Sequence, residues 1–135
     1  MEFLTLTNKK KRCKNLKQYI IDWDIDSRSK FQTSVKKFVK KYWFGNIVFE
    51  EFPIVGTRLT LDFYNANKKI AIEVQGRQHT QYVEFFHQDR INYLHQLKRD
   101  QAKEKFCELN NIKLVTIYEN DIINTYLFES QGVIL

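Results

Sequence analysis

Between Ser29 and Phe44 the apolar residues Phe31, Val35, Phe38, Val39, Tyr42 and Trp43 fall at i, i+4, i+7, i+8, i+11 and i+12, which is one face of a helix. Lys36, Lys37, Lys40 and Lys41 occupy much of the remaining surface, and Gly45-Asn46 stops it. Upstream, Asp22, Asp24 and Asp26 alternate like the opening of an EF-hand loop, but Ser27 and Thr33 stand where that loop requires Gly and Glu. The stretch reads instead as a turn into the helix, with Ser27 or Ser29 as N-cap. Ile47 to Phe52 then reads as a strand closed by Pro53. Leu59 to Tyr64 and Lys69 to Gln75 are two more strands, joined by the turn-forming Asn65-Ala66-Asn67-Lys68. Gly76 to Phe86, polar and aromatic, reads as an irregular loop. A long helix is expected from about Gln88 to Leu109, with Ile91, Leu94, Ala102, Phe106 and Leu109 buried and Asn110-Asn111 ending it. Ile112 to Tyr118 is a further strand, and Ile122 to Phe128 a short terminal helix. Helix, three-strand meander, helix, strand predicts an α/β or α+β fold with a mixed central sheet flanked by helices, the last strand reached by a helical crossover.

Alternation on the two middle strands isolates a small group of polar residues. Leu59, Leu61 and Phe63 share one face and Asp62 takes the other; Ile70, Ile72 and Val74 share one face, and Glu73 and Gln75 the other. If Tyr64 opposes Lys69 across the hairpin, Asp62 opposes Ala71 and Glu73 is its diagonal neighbour, at roughly 7–8 Å. On a solvent-exposed face the two acids would merely solubilise the sheet. On a buried one, an unpaired charge costs several kcal/mol or more, and a divalent cation is the functional explanation. Magnesium takes oxygen ligands and is often held by one or two carboxylates, with water and substrate phosphate completing its shell. Gln75 would orient a water or offer its amide oxygen.

Composition bounds the rest. A chain of 135 residues is expected to form one domain, and 43% hydrophobic with 28% charged residues describes a globule with one core. Four Gly and one Pro exclude collagen-like or linker-rich architectures. No apolar run reaches the ~18–20 residues of a membrane span, and the opening Met1-Glu2-Phe3-Leu4-Thr5 lacks the order of a secretory signal. Cys13 and Cys107 are too few for a disulfide scaffold or four-cysteine zinc site. Reduced thiols and an intracellular location are expected, the cytoplasm of a bacterial or phage-infected cell. Lys-, Asn- and Ile-rich composition hints at an AT-rich genome such as a phage or mobile element.

The net charge of +6 is localised. Residues 9–17 hold six of the 22 basic residues and no acid, leaving 16 basic and 16 acidic groups elsewhere. Lys9, Lys10, Lys11, Arg12, Lys14 and Lys17 thus form a basic N-terminal arm, set within residues 1–28, ahead of a single domain at 29–135. The arm reads as an anion-binding element for nucleic acid, with a solvated tail, a localisation signal and a lipid-facing patch as the other readings.

The ordered residues resemble a family. Asp62-Phe63-Tyr64, then Ile72-Glu73-Val74-Gln75-Gly76-Arg77-Gln78-His79, later Asp100-Gln101-Ala102-Lys103 and Asn110-Asn111-Ile112-Lys113-Leu114-Val115-Thr116-Ile117 resemble the PD-(D/E)XK nucleases. The branch most similar is that of the very-short-patch-repair (Vsr-like) endonucleases, over about residues 29–118. The resemblance implies a restriction-endonuclease-like core and a magnesium- or manganese-dependent DNA endonuclease. Asp62 and Glu73 would be its metal ligands, and His79 a candidate general acid or base. Gln75 stands where the superfamily usually has a catalytic Lys, and the resemblance brings Asp100 and Lys103 toward the catalytic end, with Lys103 replacing the missing charge. Structurally, Asp100 and Lys103 at i, i+3 also make an ordinary surface ion pair. Where such nucleases often carry a first-helix Glu, the nearest polar residue here is Gln32, a departure from the two-metal version. Arg77 and the basic arm would contact DNA.

Three further expectations come from the remaining residues. His87 and His95, eight apart, lack the spacing of a helical metal pair and read as surface or partner contacts. Cys107 reads as a packed thiol. Glu50 and Glu51 precede the site on the first strand, one of them expected to face it. The function expected is phosphodiester hydrolysis; the alternatives are a catalytically inactive nucleic-acid-binding module on a nuclease scaffold, and an adaptor using the lysine-rich helix face. With no appended recognition domain expected, DNA shape or a partner protein would set the target, and cutting both strands at once would need a homodimer.

Overall fold

The computed structural model describes residues 1–76 and 87–135, with backbone alone for 87–89. The fold is α+β. Two short strands, β1 (Glu2–Leu4) and β2 (Lys10–Arg12), pair as an antiparallel hairpin, followed by a 3-10 turn at Leu16–Tyr19. Then come α1 (Lys30–Trp43), β3 (Val48–Pro53), β4 (Thr60–Asn65), β5 (Ile70–Gln75), α2 (His87–Leu109), β6 (Lys113–Tyr118) and α3 (Thr125–Ser130). The four-stranded sheet has the order β3-β4-β5-β6, antiparallel except for β5 and β6, which run parallel across the α2 crossover. Each predicted helix and strand from 29 onward is present within a few residues of its expected ends.

Local chemistry explains the boundaries. Ser29 caps α1, its hydroxyl accepting the Gln32 N–H at 3.0 Å, and Asn124 caps α3 through the Leu127 N–H at 2.9 Å. Asn111 adopts a left-handed φ of 55° past the end of α2, the usual way a helix stops. The sheet separates two apolar layers. On one side Val35, Val39 and Trp43 of α1 and Phe128 of α3 pack on Phe63, Ile70, Ile72, Val115 and Ile117. On the other, Phe3, Cys13, Phe106 and Cys107 pack on Phe49, Phe52, Leu61, Tyr64 and Ala71.

Several expectations are corrected. Residues 1–28 are not an arm set apart from the domain. Phe3 is buried, its ring centroid 5.7 Å from that of Phe52 and 5.6 Å from that of Phe106. Asn110 clamps the strand in place, accepting the Leu4 N–H at 2.8 Å and donating to the Leu4 carbonyl at 3.0 Å. Lys36, placed on the polar side of α1, is buried. Ile91 and Leu94, expected in the core, are exposed, because α2 packs on the sheet through its last turns, where Phe106 and Cys107 lie. The hairpin turn is Ala66–Lys69, with Lys69 at φ 55°, so Tyr64 pairs with Ala71 rather than Lys69. Moving the turn by one residue moves the pairing by two. The shared face of Leu61 and Phe63 does not hold either: Leu61 packs with the α2-side cluster and Phe63 with the α1-side cluster.

Candidate functional site

Three acidic residues occupy one row across three neighbouring strands. The pairs Glu50↔Phe63 and Phe52↔Leu61 flank Glu51 and Asp62, and one step beyond Phe63↔Ile72 brings Asp62 opposite Glu73. Glu73 is therefore the direct neighbour of Asp62, not the diagonal one. Regular pairing is interrupted along this row. Glu51 takes a left-handed φ of 53°, a conformation that costs a residue with a Cβ about 1 kcal/mol or more. It also throws the alternation of β3 out of phase, so that Phe49 and Phe52 both enter the α2-side core. On β4 and β5 the ladder ends at Phe63↔Ile72, and carboxylates take over from carbonyls. The Val74 N–H donates to Asp62 Oδ2 at 2.8 Å, and the Asp62 N–H to Glu73 Oε1 at 3.3 Å.

Asp62 and Glu73 are each only 5% exposed. Lys103 Nζ lies 3.1 Å from Glu73 Oε2, carried there by α2 one turn before Phe106 and Cys107 anchor the helix. Burial pushes the Glu73 carboxyl up to about 9; the Asp62 charge adds to the rise and Lys103 opposes it. The same buried region pushes the Cys107 thiol up to about 12, first by desolvation and then by the Glu73 charge. Cys107 is thus a packed thiol, with no thiolate character to act as a nucleophile.

The remaining expected residues divide. Gln75 is buried and lines a small recess with Glu73, Lys103, Asp100 and Thr116. Asp100 accepts from Gln96 Nε2 at 2.9 Å, while Lys103 pairs with Glu73 instead of making the expected i, i+3 bridge. Gln32 is buried at the start of α1, its Nε2 donating to Glu50 Oε2 and Glu51 Oε1, both at 3.0 Å. Lys9, Lys10, Lys11, Arg12, Lys14 and Lys17 are all exposed, as is His95. Arg77 and His79 lie outside the described residues, as does the side chain of His87.

Sequence reasoning missed the roles of Ser27, Arg28 and Lys36 around this row and left open which of Glu50 and Glu51 faces it. Glu50 turns toward α1, bonded by Lys36 Nζ at 2.9 Å and by the Ser27 hydroxyl, while the Lys36 ammonium also donates to the Ile25 carbonyl at 2.6 Å. Glu51 turns toward Arg28, whose Nε lies 3.2 Å from Glu51 Oε1 and whose Nη2 lies 4.0 Å from Asp62 Oδ1. Both acids meet Gln32, so the choice between them was a false one. The available signal was the Glu50-Glu51 doublet inside an otherwise apolar strand, where alternation buries at least one charge.

The donor set suits a hard divalent cation. Asp62 and Glu73 offer only oxygens and lie side by side, and a cation there would favour the ionised form of Glu73 that burial and the Asp62 charge oppose. Among the described residues no group of three or more His, Cys, Asp or Glu could hold a metal unaided. The rest of a magnesium or manganese shell would fall to backbone oxygens, water and substrate phosphate, as magnesium commonly allows.

The chain is similar to proteins described as uncharacterized from Frog virus 3 and two invertebrate iridescent viruses. Protein 094L of Frog virus 3 is 42% identical over 66 residues, 48% of this chain and 43% of the viral protein. Protein 307L of Invertebrate iridescent virus 6 is 32% identical over 71 residues, 52% of this chain and 36% of the viral protein. Protein 033L of Invertebrate iridescent virus 3 is 31% identical over 65 residues, 48% of this chain and 34% of the viral protein. The matched segments thus span less than half the length of these relatives. No family model and no solved structure matches the chain.

Proposed function

We propose that this chain is a metal-dependent DNA endonuclease of the PD-(D/E)XK type, similar to the Vsr-like branch, hydrolysing phosphodiester bonds at Asp62 and Glu73. One observation carries the reading: two adjacent, buried carboxyls sit where the β4–β5 ladder opens, each accepting an amide of the opposite strand, with Lys103 bonded to Glu73. Two adjacent carboxyls out of water, one of them driven toward its neutral form, cost stability that apolar residues there would not, which favours a functional role for the pair. Bound magnesium or manganese would supply Lewis-acid charge to the phosphodiester and to the attacking water. Within the protein, Asp62 and Glu73 orient that charge and the opened ladder fixes their spacing. Lys103 holds Glu73 in place and brings a positive charge beside Gln75, which stands in the usual lysine position. Gln75 offers an amide to orient water. The exposed cations of residues 9–17 would bind the DNA backbone, with affinity that falls as salt rises. The free thiols of Cys13 and Cys107 suit an intracellular setting.

The test is incubation with supercoiled plasmid and a branched DNA junction in magnesium, manganese and EDTA, beside Asp62→Asn. Metal-dependent cutting lost in the variant is the expected result. Equal nicking by the variant would falsify the assignment. A second reading, an inactive DNA-binding module on this scaffold, is favoured by Gln75 in the lysine position. It predicts salt-sensitive binding with no cutting in either metal.

A further inference from the structure

The charges around the acidic row do not all serve the same purpose. Lys36 is buried and committed to Glu50, and Lys103 is 16% exposed and committed to Glu73. Arg28 differs. Its side chain is 73% exposed, yet its guanidinium spans Glu51 at 3.2 Å and Asp62 at 4.0 Å. It also lines a cleft of about 530 Å³ with Lys30, Gln32, Asp62, Val74 and Glu119. The cleft is the open side of Asp62, and among the described residues Arg28 is the cation in an ion pair with that carboxylate. An exposed ion pair of this kind is weak, so the side chain exchanges partners easily.

Resting on the metal-nuclease reading of Asp62 and Glu73, we propose that Arg28 is the phosphate-binding residue of the site and a resident cation that competes with the metal for Asp62. Glu51 and Asp62 hold the guanidinium at the mouth of the cleft. When a DNA phosphodiester enters, the planar fork transfers to its oxygens, for which it is better shaped than an ammonium. The transfer uncovers Asp62 and leaves Glu51 to set the distance from which the arginine reaches. Substrate and metal binding are then linked through one side chain: each removes Arg28 from the position that the other needs vacated. The chain thereby supplies, from the loop before α1, the phosphate-directed charge that Gln75 lacks on β5.

The two parts of this role predict effects of opposite sign. Arg28→Ala should weaken DNA binding in EDTA and slow cleavage about 10- to 100-fold, the loss of a charge-assisted hydrogen bond to phosphate. The same variant should bind manganese about threefold to tenfold more tightly, because a positive charge near Asp62 is gone. Arg28→Lys keeps the charge without the fork; it should bind manganese as the wild type does and fall between the two in cleavage. Manganese is titrated directly, by the paramagnetic resonance of the free ion, with DNA absent. A melting curve checks that these exposed substitutions leave the fold intact. Wild-type protein that neither binds manganese nor cuts overturns the metal reading beneath this inference. Wild-type protein that does both, with an Arg28→Ala variant whose manganese affinity is unchanged or weaker, overturns the role of Arg28 alone.

Discussion

The sheet buries two ionic clusters a few ångströms from one another's strands, and their charge balance differs. Around Glu50 the polar groups close on themselves: Lys36, Ser27 and Gln32 all donate to one carboxylate, and the ammonium's further donor meets the Ile25 carbonyl. One cation meets one anion, and every partner belongs to α1, β3 or the loop between residues 25 and 27. Around Asp62 and Glu73 two carboxyls lie side by side, Lys103 bonded to Glu73 and Arg28 at the limit of an ion pair with Asp62 on the solvent side. The first cluster is complete and holds α1 against the sheet. The second holds two carboxyls that oppose each other's ionisation, so Glu73 is driven toward its neutral form, a balance that a bound cation would reverse.

Substitution should separate the two. Asp62→Asn is expected to reduce cleavage by about a thousandfold or more, as loss of a metal ligand does when the metal carries the chemistry. It should do so with no loss of stability in urea. Lys36→Met should do the reverse for stability. It strands Glu50 without its cation, costing about 3 kcal/mol as breaking buried pairs does, read as a lower urea midpoint. Adding Glu50→Gln should recover part of that loss, since the remaining group is neutral. If Lys36→Met melts like the wild type, the contrast between a closed and an open cluster is wrong.

The same two clusters mark what the sequence carries and what it hides. The order of elements is legible because α1 and the strands are amphipathic with clear periods, and Ser29, Gly45, Pro53 and Asn111 punctuate them. Asp62, Glu73 and Gln75 stand out because polar residues on an apolar strand face are rare. The register is not legible, because the Asn-rich turn admits two placements and only the left-handed Lys69 decides between them. Nor is the closed cluster: Lys36 lies at helical spacing with the other exposed lysines, and nothing local says that one of them points inward. The N-terminal hairpin is hidden for another reason. Its strands have three residues each, too short for alternation, and its anchor is Asn110, more than a hundred residues away.

A pH series refines the contrast without catalysis. Glu73 is held up at about 9 against an ordinary 4.5, so the native state binds a proton that the unfolded chain releases. Its contribution to stability is full below the unfolded value and is lost as pH rises from about 5 through 9. Removing the Asp62 charge removes the second cause of that rise. Asp62→Asn should therefore be more stable than the wild type at pH 8, by about 1 kcal/mol, with the gap closing toward pH 5. Urea midpoints at the two pH values give the answer, and a wild type at least as stable as the variant at pH 8 would show that the pair does not repel.

The smallest effect tests the remote end of the same reading, where charge faces solvent throughout. On β2, Lys11 pairs with Phe3, whose side chain points into the core, so Lys11 shares that inward side and Lys10 and Arg12 project from the other. A strand contacting a DNA backbone through its outer face would use the latter two. The Lys10→Ala, Arg12→Ala double variant should flatten the logarithmic dependence of DNA affinity on salt by about 2, close to one unit per phosphate released, while Lys11→Ala changes it less. Stability should not move in either, because all three side chains are exposed. Equal slopes for all three proteins would detach the hairpin from DNA and return its charge to solvation, leaving the acidic row and Arg28 to account for any binding that persists.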